Sequence, residues 1–319
     1  MLIGFDIGGT KIEVCVMDNT GRELKKQRVA TLRNYPDFVA QVVSLVAECE
    51  QEFGRIEQVG MGLPGAISPA TGLIKNANST FLNGNDLKAD LEQSLNRTVH
   101  IANDANCFAL SEAVDGAGKD GRVVFGVIIG TGCGGGFVFN KQLIVGANAL
   151  TGEWGHNPLP NFSEEVDGPS RDCYCGRKNC IETFISGTGF GQTGSQFYAQ
   201  SVSAQSISEQ SISKQSISAQ SISAQDVMAR YRDGEAAAQA AYQLLVDQMA
   251  RSLAAIVNIL DPDVIVLGGG LSNVSELYDD LPKAMPAYIF SDVVELNIRP
   301  AKYGDSSGIR GAAWLCDRP

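Results

Sequence analysis

The chain has 319 residues, with Lys+Arg 25 against Asp+Glu 36 and a formal net charge of −11. This length corresponds to about two domains of ordinary size, with enough apolar residues to bury a core without disulfides. The acidic excess disfavours contact with a nucleic-acid backbone or an anionic membrane surface, so we expect neither as a partner. The 35 glycines exceed the roughly 7% usual in globular proteins and predict many tight turns.

The N-terminus and the apolar runs indicate a cytoplasmic protein. The first residues, MLIGFDIGG, lack a basic segment, and Asp6 interrupts their apolar run, so they do not resemble a signal peptide. The apolar stretches Val123 to Gly130 and Val264 to Gly270 are far shorter than the roughly 18 residues of a membrane span. In a reducing compartment, a local cluster of cysteines indicates a metal site more often than disulfides.

Strand and helix patterns alternate along the chain. The predicted elements are strands Leu2 to Ile7 and Ile12 to Met17, helix Tyr35 to Phe53, strands Gln58 to Leu63, Val99 to Ala102 and Val123 to Ile129, helix Glu235 to Leu260, strand Val264 to Leu267, a helix from Ser272 onward, and a helix Gly308 to Leu315 capped within Asp305-Ser306-Ser307. The apolar stripe of the long helix before Asp261 is interpreted as core packing. Alternation of this kind predicts an α/β protein with sheets covered by helices.

Residues 201–225 are five copies of a five-residue unit: SVSAQ, SISEQ, SISKQ, SISAQ and SISAQ. A five-residue step rotates each isoleucine by ~140° in a helix and moves it to the opposite face in a strand. Because neither geometry builds one apolar face, we expect a solvent-exposed insertion of low complexity. A pentapeptide β-helix is the alternative, but five copies are too few to bury a core.

Three glycine-rich turns are candidates for contact with a nucleotide. Asp6 to Lys11 (DIGGTK) lies between two predicted strands, where backbone N–H groups can face a phosphate, although a plain turn explains it equally well. Gly130 to Gly136 contains G-x-G-x-x-G, but the strand-like Phe137 to Phe139 follows instead of the helix that a dinucleotide fingerprint requires. Gly268 to Gly270 follows a buried strand and either packs against an adenosine or serves helix packing.

Asn103-Asp104-Ala105-Asn106 follows a predicted strand directly. A carboxylate at the end of a strand can orient a substrate hydroxyl and take its proton, so Asp104 is the candidate general base for phosphoryl transfer to an alcohol. The alternative is that Asn103 or Asp104 caps the alanine-rich helix that follows.

His156 and three cysteines have the composition of a structural zinc site. Cys173, Cys175 and Cys180 fall within eight residues, and three thiolates with one imidazole complete a closed tetrahedral site. Such a site would fix the flanking carboxylates of Glu153 and Glu182, which can accept hydrogen bonds from the hydroxyls of a polyol. Unrelated buried thiols beside a satisfied histidine are the alternative.

These motifs together resemble the ROK family of sugar kinases, and the resemblance covers nearly the whole chain apart from the repeat. The motifs, in the family's order, are DIGGTK, NDAN, GTGCGGG, GEWGH, CYCGRKNCIE and VIVLGGG. The resemblance implies an actin-like, RNase H-like ATPase fold of two α/β domains that close on ATP and sugar, and it suggests a homodimer. We place a small domain at residues 1–118 plus 303–319, and a larger domain at 119–302 with a zinc loop at 153–182 and the insertion at 201–225.

The resemblance also implies a role for each candidate residue. Asp104 would be the base, and the sugar would lie among Asn78, Asn103, Asp104, Glu153, His156 and Glu182. Zinc would be held by His156, Cys173, Cys175 and Cys180, while Asp6 would approach Mg²⁺ through water. ATP would contact Gly8, Gly9, Thr10, Lys11, Thr131, Gly132, Gly134, Gly268, Gly269 and Gly270.

Within the family, three segments resemble the bacterial fructokinases that also accept mannose: KNANSTFLNG (75–84), GHNPLP (155–160) and CIETFISGTGF (180–190). We therefore expect ATP-dependent phosphorylation of D-fructose at its 6-hydroxyl, and an N-acetylglucosamine or glucose kinase is the alternative. The family's repressors would need a helix-turn-helix before Leu2, where the sequence leaves no room. A non-catalytic sugar sensor would have no need of Asp104.

The insertion gives a first prediction. Deleting Ser206 to Gln225 is expected to leave turnover largely intact, because we interpret the repeat as an exposed segment without a part in the site. The measurement is sugar-dependent ADP release from the purified deletion variant beside the full chain. A variant that folds but has lost its turnover would contradict this interpretation.

Overall fold

The computed structural model describes residues 1–77, 79–208 and 222–317, without the side chains of residues 202–208 and 305. The strands are β1 (Leu2–Ile7), β2 (Lys11–Met17), β3 (Glu23–Ala30), β4 (Gln58–Leu63), β5 (Ala66–Ile67), β6 (Ile74–Lys75), β7 (Thr98–Asn103), β8 (Val123–Ile129), β9 (Cys133–Phe139), β10 (Gln142–Ile144), β11 (Val264–Gly268) and β12 (Ile298–Pro300). The helices are α1 (Tyr35–Phe53), α2 (Leu87–Leu95), α3 (Asp104–Val114), α4 (Glu164–Asp167), α5 (Glu182–Ile185), α6 (Gly187–Ser208), α7 (Ala224–Arg232), α8 (Ala236–Leu260), α9 (Leu277–Ala284) and α10 (Ser307–Trp314).

Two five-stranded sheets have the same internal plan. The first has the order β3-β2-β1-β4-β7 and the second the order β10-β9-β8-β11-β12. In each sheet the first two neighbouring pairs are antiparallel and the last two are parallel. The carboxyl ends of the parallel strands therefore meet at one edge of each sheet, where α/β proteins bind ligands.

Each sheet has its own hydrophobic core, and α3 and α10 form a third apolar cluster. The first cluster joins the first sheet to α1 and α2, and the second joins the second sheet to α8. Most of the predicted stripe of α8 is buried as expected, from Tyr242 to Ile256, although Leu260 at its end is exposed. Asp261 ends α8 with a φ of 42°, and Pro262 prevents its continuation. In the described ranges we find no helix that combines the length and apolarity of a membrane span.

Helix α10 crosses α3 and the first sheet at very short distance. A Cβ atom on Gly311 would overlap the carbonyl oxygen of Cys107 in α3, and one on Gly60 in β4 would overlap the carbonyl oxygen of Ala312. These glycines allow backbone to lie directly on backbone. The C-terminal segment thus packs on β1 and β4, which supports our assignment of residues 303–319 to the first domain. The domain boundaries themselves stay a prediction.

The start of α10 is held by a buried carboxylate rather than by the predicted cap. The hydroxyl of Ser307 donates to Glu112 of α3 at 2.7 Å, and the backbone N–H of Lys302 donates to the same carboxylate at 3.0 Å. Ser306 is the N-cap residue and makes no side-chain capping bond, so the predicted cap is wrong for Ser306. The side chain of Asp305, the third candidate, lies outside the described residues. Glu112 is fully buried and needs these donors, because a buried carboxylate is costly without hydrogen bonds.

Strand β3 and the segment after β11 differ from the sequence prediction in instructive ways. Strand β3, ELKKQRVA, was not predicted because it is an edge strand whose polar residues hide the alternation. The helix expected from Ser272 onward is a 3₁₀ turn at Gly270–Asn273, and α9 begins only at Leu277. The backbone turns directly after β11, because Gly269 has a φ of 78° and the 3₁₀ turn follows it at once.

The repeat is helical in its first part, contrary to our expectation. Helix α6 continues to Ser208, which lies within the second copy of the unit. Extending an existing helix by one residue costs much less free energy than nucleating a new helix. Helix α6 therefore continues into the repeat, although the repeat has no apolar face of its own. Ser223 in the last copy caps α7 by accepting from the backbone N–H of Asp226. The prediction of an exposed insertion concerns mainly residues 209–221, which lie outside the described residues.

Candidate active site

A cavity of about 1560 Å³ opens between the two sheets. Its wall includes the start of α3, the turn between β8 and β9, the segment around His156, and the end of α8. The predicted site residues in this wall are Asn103, Asp104, Thr131, Gly132, Gly134, Glu153, His156, Cys175 and Glu182. Motifs far apart in sequence thus meet in one cavity. Asn78 lies outside the described residues, so its predicted contact with the sugar stays a prediction.

Asp104 is the first residue of α3 and faces the cavity. Asn103 is the N-cap of this helix, and its side chain accepts from the backbone N–H of Ala105 at 2.9 Å. The capping alternative is therefore correct for Asn103, but it leaves the carboxylate of Asp104 exposed to the cavity. Burial by the surrounding protein raises the pKa of that carboxyl, although hydrogen bonds from the backbone N–H of Ala105 and from the side chain of Asn103 act in the opposite direction.

Asp6 lies near the carboxyl end of β1. Strand β1 pairs with β4 and β4 pairs with β7, which leads directly into Asp104. Burial raises the pKa of Asp6 to about 6, with a further contribution from repulsion by Asp104 and Glu13. This interaction links the two carboxylates electrostatically, although Asp6 itself lies outside the cavity wall. A carboxylate held in this way favours a bound cation, since a nearby positive charge would remove both costs.

Of the three predicted glycine turns, one lies in the cavity wall and two do not. The turn between β8 and β9 lines the cavity, whereas Gly8 to Lys11 and Gly268 to Gly270 do not. Gly269 contacts the end of β8, since a Cβ there would lie 2.6 Å from the carbonyl oxygen of Ile129. Two of the predicted nucleotide turns are thus adjacent at the edge of the second sheet. Gly8 and Gly9 belong to a tight turn closed by a bond from the N–H of Gly8 to the carbonyl oxygen of Lys11, 2.9 Å.

The segment GEWGH lies directly on β9, and its two glycines make this possible. A Cβ on Gly152 would overlap the carbonyl oxygen of Gly135, and one on Gly155 would overlap that of Cys133. The indole of Trp154 donates to the carbonyl oxygen of Gly134 at 3.0 Å and fixes the segment further. The neighbouring residues Glu153 and His156 are thereby placed at the cavity wall.

Glu182 is fixed from the opposite side by the turn between β8 and β9. The backbone N–H of Cys133 donates to its carboxylate at 2.8 Å. A Cβ on Gly132 would lie 2.7 Å from the same carboxylate oxygen, so a side chain there would displace the carboxylate of Glu182. The glycine motif therefore serves the sugar-side carboxylate as well as the predicted phosphate contact.

The four predicted metal ligands are close together. The ligand atoms of His156, Cys173, Cys175 and Cys180 all lie within 4.8 Å of one another. Nδ1 of His156 is 3.6 Å from the sulfur of Cys173, and the sulfurs of Cys175 and Cys180 are 3.6 Å apart. Tetrahedral zinc, with bonds of about 2.3 Å to sulfur and 2.0 Å to nitrogen, needs ligand separations of about 3.5–3.8 Å. The donor set and its spacing therefore fit zinc.

The end of α8 and Tyr174 are among the parts of the cavity wall that were not predicted. Leu260, the last residue of the predicted stripe of α8, and its neighbour Ile259, which is 77% exposed, both line the cavity. Our interpretation of the stripe as pure core packing is therefore wrong at its end. Tyr174 also lines the cavity, and its hydroxyl lies 2.9 Å from Nε2 of His156. The position of this tyrosine between two metal ligands in CYC was the available sequence signal.

Comparison with known proteins agrees with this fold and identifies the family. The chain belongs to the ROK family of sugar kinases, whose family model matches residues 2–318. It is 39% identical over 319 residues to an N-acetyl-D-glucosamine kinase of Yersinia pseudotuberculosis, covering 99% of this chain and 98% of that protein.

Solved structures show the same actin-like fold with two α/β domains. The ROK hexokinase of Thermus thermophilus matches with a TM-score of 0.80 and 27% identity, over 98% of this chain and 97% of that one. A ROK family glucokinase of Streptomyces griseus, in complex with glucose and AMPPNP, matches with a TM-score of 0.70 and 27% identity, over 98% of both chains. The predicted fold class is confirmed.

Asp6→Asn is expected to stabilise the protein at pH 8, in the absence of nucleotide and magnesium. The pKa of this carboxyl rises from 3.8 to about 6 on folding. Its contribution to the stability of the folded protein is therefore complete below pH 3.8 and is lost as the pH rises through 6. The neutral amide avoids this loss, which amounts to at most about 3 kcal/mol. Urea unfolding at pH 4 and pH 8 measures the difference, which should nearly vanish at pH 4.

Asp18→Asn is the matched control with the opposite sign. Hydrogen bonds from Thr20 and Arg22 lower the pKa of Asp18 to about 2, so its loss should destabilise the protein at pH 8. Equal stability of Asp6→Asn and the original protein at both pH values would contradict our account of Asp6.

Cys175→Ala is expected to release the metal and to lower the thermal midpoint. Structural zinc contributes on the order of 10 kcal/mol to ordering its ligands, and a three-ligand site binds it far more weakly. Metal content and thermal unfolding of the purified protein measure both effects. Cys49→Ala is the control, because Cys49 is buried in the first core and far in sequence from the cluster. Zinc-free original protein, or equal metal content in the two variants, would argue against the site.

Proposed function

We propose that this chain transfers the γ-phosphoryl group of ATP to the 6-hydroxyl of a hexose. The observation that carries the proposal is the shared cavity of Asp104, Glu153, His156 and Glu182, beside the glycine turn of β8 and β9. One wall offers a base, and the other offers several acceptors and donors for sugar hydroxyls. Membership of the ROK family, and a neighbour solved with glucose and AMPPNP, support the same reaction.

Asp104 takes the proton of the 6-hydroxyl as its oxygen attacks the γ-phosphorus of ATP, and the bond to the β–γ bridging oxygen breaks to release ADP. The raised pKa of Asp104 suits this role, because a base is most effective when its pKa approaches the working pH. Mg²⁺, when bound, would neutralise phosphate charge, and Asp6 is the residue we propose to hold it. Zinc would take no part in the bond changes and would fix the orientation of His156.

N-acetylglucosamine is the first candidate for the acceptor. The support is the 39% identity, over nearly the full length of both chains, to a relative named N-acetyl-D-glucosamine kinase. The comparisons favour this acceptor over fructose, which our sequence analysis had placed first.

Fructose is the second candidate because a specific observation favours it. The three segments that resemble fructokinases supply Lys75, His156, Asn157 and Glu182 to the cavity wall. Discrimination between sugars depends on the side chains that contact them more than on identity over the whole chain. Mannose would be a side substrate in this case.

Parallel turnover measurements decide between the two acceptors. ADP release with ATP and Mg²⁺ is measured on N-acetylglucosamine, fructose, mannose, glucose and N-acetylmannosamine. We expect one of the two candidates to exceed the other sugars in kcat/KM by about tenfold or more, since the sugars differ in polar groups that the site must satisfy. No turnover on any sugar, in folded protein that retains its metal, would contradict the kinase and favour a sugar sensor.

A further inference from the structure

Tyr174 makes a contact that the proposed mechanism does not use. Its side chain is 84% exposed, yet its hydroxyl lies 2.9 Å from Nε2 of His156 and its ring meets the imidazole edge-on, with centroids 5.1 Å apart. An exposed tyrosine is free to adopt other rotamers, so this position depends on the histidine and little else. Tyr174 also lines the large cavity, on the same side as Glu153.

The metal site decides which nitrogen of His156 is available to a ligand. Nδ1 faces the sulfur of Cys173 at 3.6 Å, on the side of the metal ligands. With Nδ1 on the metal, Nε2 carries the proton and donates a hydrogen bond. In that tautomer the hydroxyl of Tyr174, 2.9 Å away, would accept the bond, and the carboxylate of Glu153 is farther away, at 4.0 Å. The tyrosine thus occupies the position from which Nε2 would otherwise bind a hydroxyl group in the cavity.

We propose that Tyr174 sets sugar affinity by competing with a sugar hydroxyl for Nε2 of His156. The inference rests on the proposed function, since it needs a hexose in this cavity. In the sugar-free protein the tyrosine hydroxyl accepts the bond from Nε2. When sugar binds, one of its hydroxyls takes that bond, and Tyr174 rotates into the solvent at the mouth of the cavity.

The main chain at Tyr174 is restrained, whereas its exposed side chain can rotate. A sugar hydroxyl can therefore displace the tyrosine hydroxyl without moving the loop. Cys173 and Cys175 on either side are candidate metal ligands, so the main chain between them has little freedom. Released into water, the tyrosine hydroxyl regains hydrogen bonds, so displacement costs only the net value of one bond. That value corresponds to a factor of about threefold to tenfold in sugar affinity.

Tyr174→Phe tests the proposal, because it keeps the ring and removes the competing hydroxyl. We expect the KM and the dissociation constant of the best sugar to fall by about threefold to tenfold. The KM for ATP, the kcat and the metal content should stay unchanged, which a merely structural effect on the loop would not allow. Tyr198→Phe is the matched control, since its hydroxyl bonds to Glu235 and it does not line the cavity.

The outcomes separate this inference from the proposed function. Turnover in the original protein with an unchanged or higher sugar KM in Tyr174→Phe overturns the competition by Tyr174 alone. Absence of both sugar turnover and sugar binding, measured calorimetrically in the original protein, overturns the proposed function and this inference together. Sugar binding without turnover overturns the kinase, and the dissociation constants of the two proteins still test Tyr174.

Discussion

The position of α3 is the constraint on which the rest of the structure depends. Its neighbours approach so closely that Gly311 of α10 and Gly126 of β8 have no space for a side chain. The helix therefore has a defined position relative to both sheets, as expected where backbone packs on backbone. Asp104 is its first residue, so the carboxylate that we propose as the base is placed by packing along the whole helix. Any change in α3 that altered its crossing with α10 would move the base.

The metal cluster is the second fixed point, on the opposite wall of the cavity. Zinc bound by these four ligands would add to the restraint that Trp154 and the glycines of GEWGH already impose on His156. Glycines in GEWGH and in the turn of β8 and β9 then bring Glu153 and Glu182 to the same wall. The residues that we propose for substrate recognition are thus attached to the second sheet, and the proposed base is attached to α3, which packs against both sheets. The cavity between them has the size and polarity for a sugar and part of a nucleotide.

Much of the fold and of the site could be predicted from local sequence, and the failures have physical causes. The strand Gln58 to Leu63 and the helix Tyr35 to Phe53 have clear apolar periodicity, and their predicted bounds agree with the structure. Strand β3 and the helical residues 201–208 lack that periodicity, because their conformation follows from a neighbouring strand or from an existing helix. The position of Tyr174 between two predicted metal ligands was a sequence signal for a place near the site, but its contact with His156 depends on the folded loop. The homodimer and the contact of ATP with the glycine turns stay predictions.

The most direct test of the central claim is the turnover of Asp104→Asn on the preferred sugar. The amide keeps the size of the side chain and the cap at Asn103, but it cannot take the proton of the sugar hydroxyl. We predict a kcat lower by ~100-fold or more, the usual contribution of a general base, with sugar and ATP still bound. Near-native turnover in a folded variant would show that Asp104 is not the base and would contradict our account of the site.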